Sequence, residues 1–443
     1  MISRRDFAKK TGLATTGLMV GGAMTSAKSY KRIMGANDRI HVAIVGLGRR
    51  LGAFPEAIAK KDNNVELLYL CDVKSSQFKR AAEEFSGKLD YKPEEIKDIR
   101  KMLEDKKLDA IFNATPDHWH APGSIMAMQA GKHVYVEKPV SHNMEENRLL
   151  VEASKKYDRV VQAGTQQRSS AHTIKVVQMI HEGAIGKAYK AVAFYTNGRG
   201  RVPNQKPAPV PEGLDWNLFQ GPAPRRDYTE ETWNYNWHWY GWDYGTAESG
   251  NNGTHEMDVA RWALGVDYPE YVFVDAHKGQ FPDDGWEMYD HMLATYRFPG
   301  NKTIQWDGRS RNRYDKYGSG RGVLIYGSEG SVFVNRGIAK VYDRRGNLVE
   351  EFDSESTESG TALGGGGSMS TRHVENFFGG IRGKEKLNAP IDDIAISHAM
   401  VHYTNVAYRI NRPFEVGDSG NMLDREAMKL WSRDYEPGWE VKL

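Results

Sequence analysis

Cysteine is all but absent from this 443-residue chain: Cys71 stands alone. An internal disulfide is thereby excluded, and Cys71 reads as a packing residue at a strand end. An excess of charge of one sign is also lacking. Sixty Lys and Arg face 58 Asp and Glu, a formal net charge of +2. No basic run persists beyond the N-terminus, so nucleic acid is not an expected partner. Long apolar runs are missing as well. The nearest, Thr11–Met24, is short and rich in Gly and Thr, well below the ~20 apolar residues of a membrane helix. No stable membrane span is expected, and no residue set is assigned to a metal. What remains is the composition of a globular protein, too long for one ordinary core, so two domains are expected.

The N-terminus reads Ser3-Arg4-Arg5-Asp6-Phe7 before that weakly apolar stretch. A twin-arginine pair in this context is the pattern of a Tat export signal, with cleavage placed after Thr25-Ser26-Ala27. Residues 1–36 are assigned to signal and linker, and the expected location is the periplasm. A cytoplasmic basic arm is the alternative.

The chain is organised around Ile40–Asp72. An apolar run, Ile40–Val45, meets the glycine cluster Gly46-Leu47-Gly48-Arg49-Arg50-Leu51-Gly52, then helical spacing over Phe54–Lys61 and a second apolar run, Val65–Leu70, ending at Cys71-Asp72. Strand, tight turn, helix, strand and acid make up the unit that binds a dinucleotide. Gly46 allows the turn, and Gly48 lets the backbone approach a pyrophosphate at a helix N-terminus. Asp72 can accept from the adenosine ribose hydroxyls and favours NAD over NADP, because a carboxylate repels a 2′-phosphate. Arg49 and Arg50 leave NADP possible. The usual third glycine falls at Leu51, so the pattern is imperfect. The cofactor-binding turn is Gly46, Leu47, Gly48, Arg49 and Arg50.

Helical spacing returns over Ser75–Phe85, Ile96–Glu104, Pro122–Ala130 and Met144–Lys156. Between these lie the strands Asp109–Ala114, His133–Val136 and Val160–Ala163. Alternation of this kind predicts a doubly wound parallel sheet, a Rossmann domain over 37–168. Ligands in such sheets lie beyond the C-terminal strand ends. The polar clusters sit at those ends: Thr115-Pro116-Asp117-His118-Trp119-His120, Glu137-Lys138-Pro139, and Gly164-Thr165-Gln166-Gln167-Arg168.

With the segment Gly250–Asp258, these motifs resemble the Gfo/Idh/MocA oxidoreductase superfamily over residues 38 to about 415. The resemblance implies that Lys138, on a proline turn that is often cis, lies between nicotinamide and substrate and holds or polarises the reacting hydroxyl. It also implies that Thr115, Pro116, His118 and His120 border the nicotinamide ribose, with Glu137 and Gln166 beside them. A surface lysine and structural histidines are the bland alternatives. Many members carry an acid four residues before a histidine. Here His255 is present and Asn251 stands in the acid's place. His255 is then the general acid/base, Asn251 a binding residue, and Lys138 takes more of the proton work.

Residues 169–415 are expected to form an α+β domain with a large, mostly antiparallel sheet, covering the site and building a homo-oligomer interface as in the family; 416–443 is a tail. Its strands are read at Ala188–Asn197, Val272–Ala276, His291–Phe298, Lys302–Arg309, Gly322–Gly327, Ser331–Val334 and Ala339–Asp343. Helices are read at Ala171–Glu182 and Ile391–Tyr408. Residues 198–247 form a long excursion dense in Trp and Tyr. Aromatic faces pack on sugar C–H faces, so Trp237 and Trp239 are candidate sugar contacts, with a buried aromatic cluster as the alternative. Arg168 and His373 complete the substrate set. Arg309, Arg311 and Arg313 alternate, meeting either an acidic substrate or solvent. Gly360–Ser368 is a connector or lid.

The reading is an NAD-dependent oxidoreductase acting on a sugar or glycoside. The periplasm supplies little free dinucleotide, so the cofactor is expected to be tightly held and recycled within one cycle. The alternatives are redox-neutral glycoside cleavage, outside the two-carboxylate mechanism, and a non-catalytic sugar-binding or sensing protein.

Overall fold

The computed structural model describes residues 38–353 and 368–443. The twin-arginine segment and the connector's residues 360–367 lie outside the described residues.

Six strands form the first sheet: β1 (Ile40–Val45), β2 (Val65–Cys71), β3 (Glu94–Ile96), β4 (Ala110–Asn113), β5 (His133–Val136) and β6 (Val161–Ala163). All pair in parallel, in the order β3-β2-β1-β4-β5-β6. β1, β4 and β5 are continuous apolar runs because helices cover both faces. On one face Ile125, Met128, Leu149 and Leu150 pack against Val45, Ile111 and Val134. On the other, Ala57, Ile58 and Phe78 meet Ile44, Phe112 and Tyr135. The late helix Ser368–Ile381 joins this second face: the Phe377 ring lies 5.7 Å from Phe112. The strand order reverses between β1 and β4, where a crevice must open at the C-terminal ends.

The second sheet holds β7 (Ala188–Thr196), β8 (Tyr271–His277), β9 (His291–Phe298), β10 (Lys302–Arg309), β11 (Arg321–Gly327), β12 (Gly330–Val334), β13 (Ile338–Asp343), β14 (Leu348–Asp353) and β15 (Phe414–Glu415). Its order is β14-β13-β12-β11-β7-β10-β9-β8-β15, antiparallel except at β7–β10. One face packs on the helices Ala171–His181, Thr254–Leu264 and Ile391–Ile410 through a core that includes Trp239, Trp286, Trp306 and Tyr296. The architecture is thus a parallel Rossmann sheet followed by a largely antiparallel α+β domain.

One local result differs from the sequence pattern. The helix expected from Pro122 starts earlier, at Asp117, with Pro122 inside it. A proline there cannot donate to the carbonyl four residues back. That carbonyl, of His118, instead accepts from Arg433 Nη2 at 2.7 Å. Arg433 belongs to the chain's last stretch, which returns to the first sheet and packs Trp439, Val441 and Leu443 against its core. Among the described residues, no helix is long and apolar enough to cross a membrane.

Candidate active site

The crevice at β1 and β4 is the mouth of an open cleft. Gly46 forms its floor with φ +87°, and a Cβ there would stand 2.5 Å from the Ala114 carbonyl oxygen. Only glycine lets β1 turn so close to β4. At Gly48 a Cβ would meet nothing within 4 Å, so this backbone borders open space. Asp72 closes β2 on the opposite rim. Its carboxylate accepts from the Leu47 N–H and the Lys74 N–H, both at 2.8 Å. Burial pushes the Asp72 carboxyl up to about 6, against those two donors. An open glycine backbone and a carboxylate at the next strand end fit the pyrophosphate and ribose of a dinucleotide.

The nicotinamide end of such a ligand would meet Thr115, Pro116, Asp117, His120, Glu137, Lys138 and Asn251, all on the cleft wall. The Lys138–Pro139 peptide is cis. Lys138 Nζ donates to the Asn251 carbonyl, tying the two sheets' elements together. Burial lowers its pKa to about 8, opposed by Glu137 and Asp117. Glu137 is itself buried, and burial alone would raise its carboxyl. Arg50, whose Nε donates at 2.7 Å, outweighs that and holds it below the usual range. Gln166 Nε2 donates to Glu137 at 3.1 Å and so acts behind the wall. His120 faces carbonyls at both ring nitrogens, those of Pro139 and Thr115.

His255 lies in the helix that continues the π-helical turn Ser249–Gly253. It is 4% exposed, is not among the residues that line the cleft, and its Nδ1 has no hydrogen-bond partner. Burial, then Arg336 and Lys138, lowers its pKa well below the ordinary histidine value, so it rests neutral.

The structure places several anticipated residues away from the cleft wall. His118 packs its ring on Tyr244, 4.9 Å between centroids, with Nε2 2.7 Å from the Phe219 carbonyl oxygen. Arg168 forms a bidentate pair with Asp258 at 2.7 and 2.8 Å. His373 bridges the Ser169 hydroxyl and the Ala163 carbonyl oxygen. Trp239 stacks on Trp286 at 3.9 Å inside the second core, whereas Trp237 does reach the cleft. The alternating arginines find acids rather than a ligand: Arg311 is buried against Asp284, Arg309 pairs with Asp307 and Arg313 with Asp315.

Residues 40–165 match the oxidoreductase family GFO_IDH_MocA in its NAD-binding Rossmann fold, and residues 175–441 match the family's C-terminal alpha/beta domain. The chain belongs to the Gfo/Idh/MocA oxidoreductase family. Myo-inositol 2-dehydrogenase of Thermotoga maritima is 23% identical over 301 residues, 67% of this chain and 75% of that protein. A glycosyl hydrolase family 109 protein of Shewanella baltica is 26% identical over 211 residues, 44% of this chain. The chain spans less than half of that relative's length, 46%. In fold, this oxidoreductase resembles the WlbA dehydrogenase of Bordetella pertussis, solved with NADH and UDP-GlcNAcA. The TM-score is 0.63 at 19% identity, covering 86% of this chain and 99% of that one.

Three features of the oxidoreductase escaped the sequence reading. Asp117, within the Thr115–His120 motif, is buried beside Lys138 and accepts from the Thr246 hydroxyl at 2.6 Å. Tyr235 lines the cleft with its ring 4.2 Å from the Arg49 guanidinium. The excursion also closes over the rim near Asp72. Ser75 N–H donates to the Gly213 carbonyl, Asp215 N–H to that of Val73, and Lys74 lies 5.6 Å from the Trp233 ring.

Proposed function

We propose that this chain oxidises or reduces a carbinol carbon of a sugar or glycoside with a tightly held NAD. The single observation that carries the reading is Lys138, its pKa lowered to about 8 by burial and its ammonium fixed on Asn251, in the same cleft as the Gly46–Gly48 turn. NAD, with NADP as the alternative dinucleotide, supplies the hydride acceptor when bound. Lys138 in its neutral form takes the hydroxyl proton as the carbonyl forms, and as an ammonium returns it in the reverse direction. His255, neutral and with a free Nδ1, is the second proton-handling group. The relatives named above, an inositol dehydrogenase and a dehydrogenase solved with a nucleotide sugar, support a polyol or sugar substrate.

Retention of the dinucleotide is supported by the excursion. Its backbone bonds at Val73–Ser75 lay residues 213–215 and Trp233 over the rim beside Asp72, where the adenosine ribose would bind. Such a cover slows release and suits a cofactor oxidised and reduced in one cycle. Tat export to the periplasm and homo-oligomerisation through the second sheet belong to the same proposal. They are checked by fractionating cells and by light scattering of the purified protein. Redox-neutral glycoside cleavage is the second reading, favoured by the family 109 relatives.

The test is turnover of a glycoside panel by Lys138→Ala and His255→Ala variants. Each loses at least ~100-fold, the scale of acid–base catalysis. Near-wild-type turnover in both overturns the site, and unchanged sugar affinity with no activity in any form supports a binding protein instead.

A further inference from the structure

The residue in the acid's place, Asn251, has its amide locked by neighbours. Its Nδ2 donates to Glu248 Oε1 at 3.3 Å and to the Tyr235 hydroxyl at 3.2 Å. Glu248 is fully buried and takes Asn252 Nδ2 on the same oxygen and Arg199 Nε on the other at 3.2 Å. A carboxylate held by an arginine only accepts, so it fixes which end of the Asn251 amide faces it. Both amide hydrogens are then committed, and Oδ1 is left as an acceptor. The Tyr235 oxygen, having accepted from Asn251, keeps its own O–H to donate. Tyr235 is held with φ +75°, which residues with a Cβ rarely adopt, and its ring is stacked on Arg49. Both Asn251 and Tyr235 line the cleft next to Lys138.

We infer that Glu248 is a positioning residue that makes Asn251 and Tyr235 an acceptor–donor pair reading two neighbouring hydroxyls of the substrate, a vicinal diol that includes or adjoins the reacting carbinol. This rests on the sugar reading above and deepens it. The hydroxyl at Asn251 must donate and the one at Tyr235 must accept. A fluorine can accept weakly but never donate, so replacing the first hydroxyl leaves Asn251 Oδ1 unpaired. Sites built around a hydroxyl reject analogues lacking it strongly.

Two measurements test this. The first is neutron diffraction from deuterated crystals of the wild-type chain and Glu248→Gln. The ND2 group of Asn251 is expected on Glu248 and Tyr235 in the wild type and turned over in Glu248→Gln. An ND2 group facing the cleft in the wild type overturns the inference whatever the substrate is. The second takes the sugar that changes the redox state of the bound nucleotide, with its monodeoxyfluoro series. One fluoro position is expected to cost the wild type about 100-fold in kcat/KM, mostly in KM, and Glu248→Gln to cut that discrimination at least about tenfold. The same discrimination in both proteins overturns the inference. A panel with no active sugar sinks the functional reading alone, and the neutron result still decides the amide's orientation.

Discussion

The protonation of Lys138 gives the sharpest prediction. Burial, opposed by Glu137 and Asp117, sets its pKa at about 8 rather than the ordinary 10.5. Alcohol oxidation needs the neutral amine, so kcat/KM for oxidation rises with pH and levels off above the pKa. About a tenth of such a lysine is neutral at pH 7 and about nine-tenths at pH 9, so the rise over that interval is about tenfold. An unshifted lysine would keep gaining rate beyond pH 10. His255 adds no inflection in this window, because it is neutral throughout. Glu137 favours the ammonium, so Glu137→Gln moves the midpoint to lower pH. Lys138→Arg, which does not deprotonate, abolishes the inflection with at least ~100-fold loss. Single-turnover hydride transfer is the assay, since product release limits many such enzymes. A profile flat between pH 7 and 9, or one still climbing at pH 10, refutes the assignment of Lys138 as the base.

Two further outcomes follow from the cleft and its supports. Asp72→Ser removes the carboxylate that repels a 2′-phosphate, so the ratio of kcat/KM for NAD over NADP falls at least about tenfold, measured with each dinucleotide added to stripped protein. Arg433→Ala strips the guanidinium from Glu146, a fully buried acid 2.6 Å away, and leaves the His118 carbonyl without its donor. Breaking a buried pair from one side costs about 3–5 kcal/mol, so denaturant melts should show a clear loss of stability with the cleft chemistry intact.

The first sheet was legible because its signal is local. Its β5 begins and ends where apolar runs and turn residues place it, as do β9 and β10 of the second sheet. β3 and β14 were not seen: Glu94-Glu95-Ile96 and Leu348–Asp353 are edge strands full of carboxylates, and only pairing with β2 and β13 makes them strands. Motif residues at strand ends, Gly46, Asp72, Thr115 and Lys138, reach the cleft because the parallel topology gathers the ends of β1, β2, β4 and β5 there, whereas Gln166 and Arg168, after β6, do not line it. Other candidates do not reach it. Trp239 and Arg168 have partners, Trp286 and Asp258, far along the chain, and no local pattern reveals whether a large side chain faces a ligand or a distant neighbour. Glu248 went unnoticed for the same reason: its role depends on Arg199 and Asn251 arriving from separate elements.

The central claim, an enclosed dinucleotide working on a sugar, is tested most directly by the absorbance and fluorescence of the purified protein with a glycoside panel and no cofactor supplied. The account predicts a nucleotide that co-purifies and changes redox state when one of the sugars is added. A protein that emerges empty and turns over only with millimolar added NAD would contradict it.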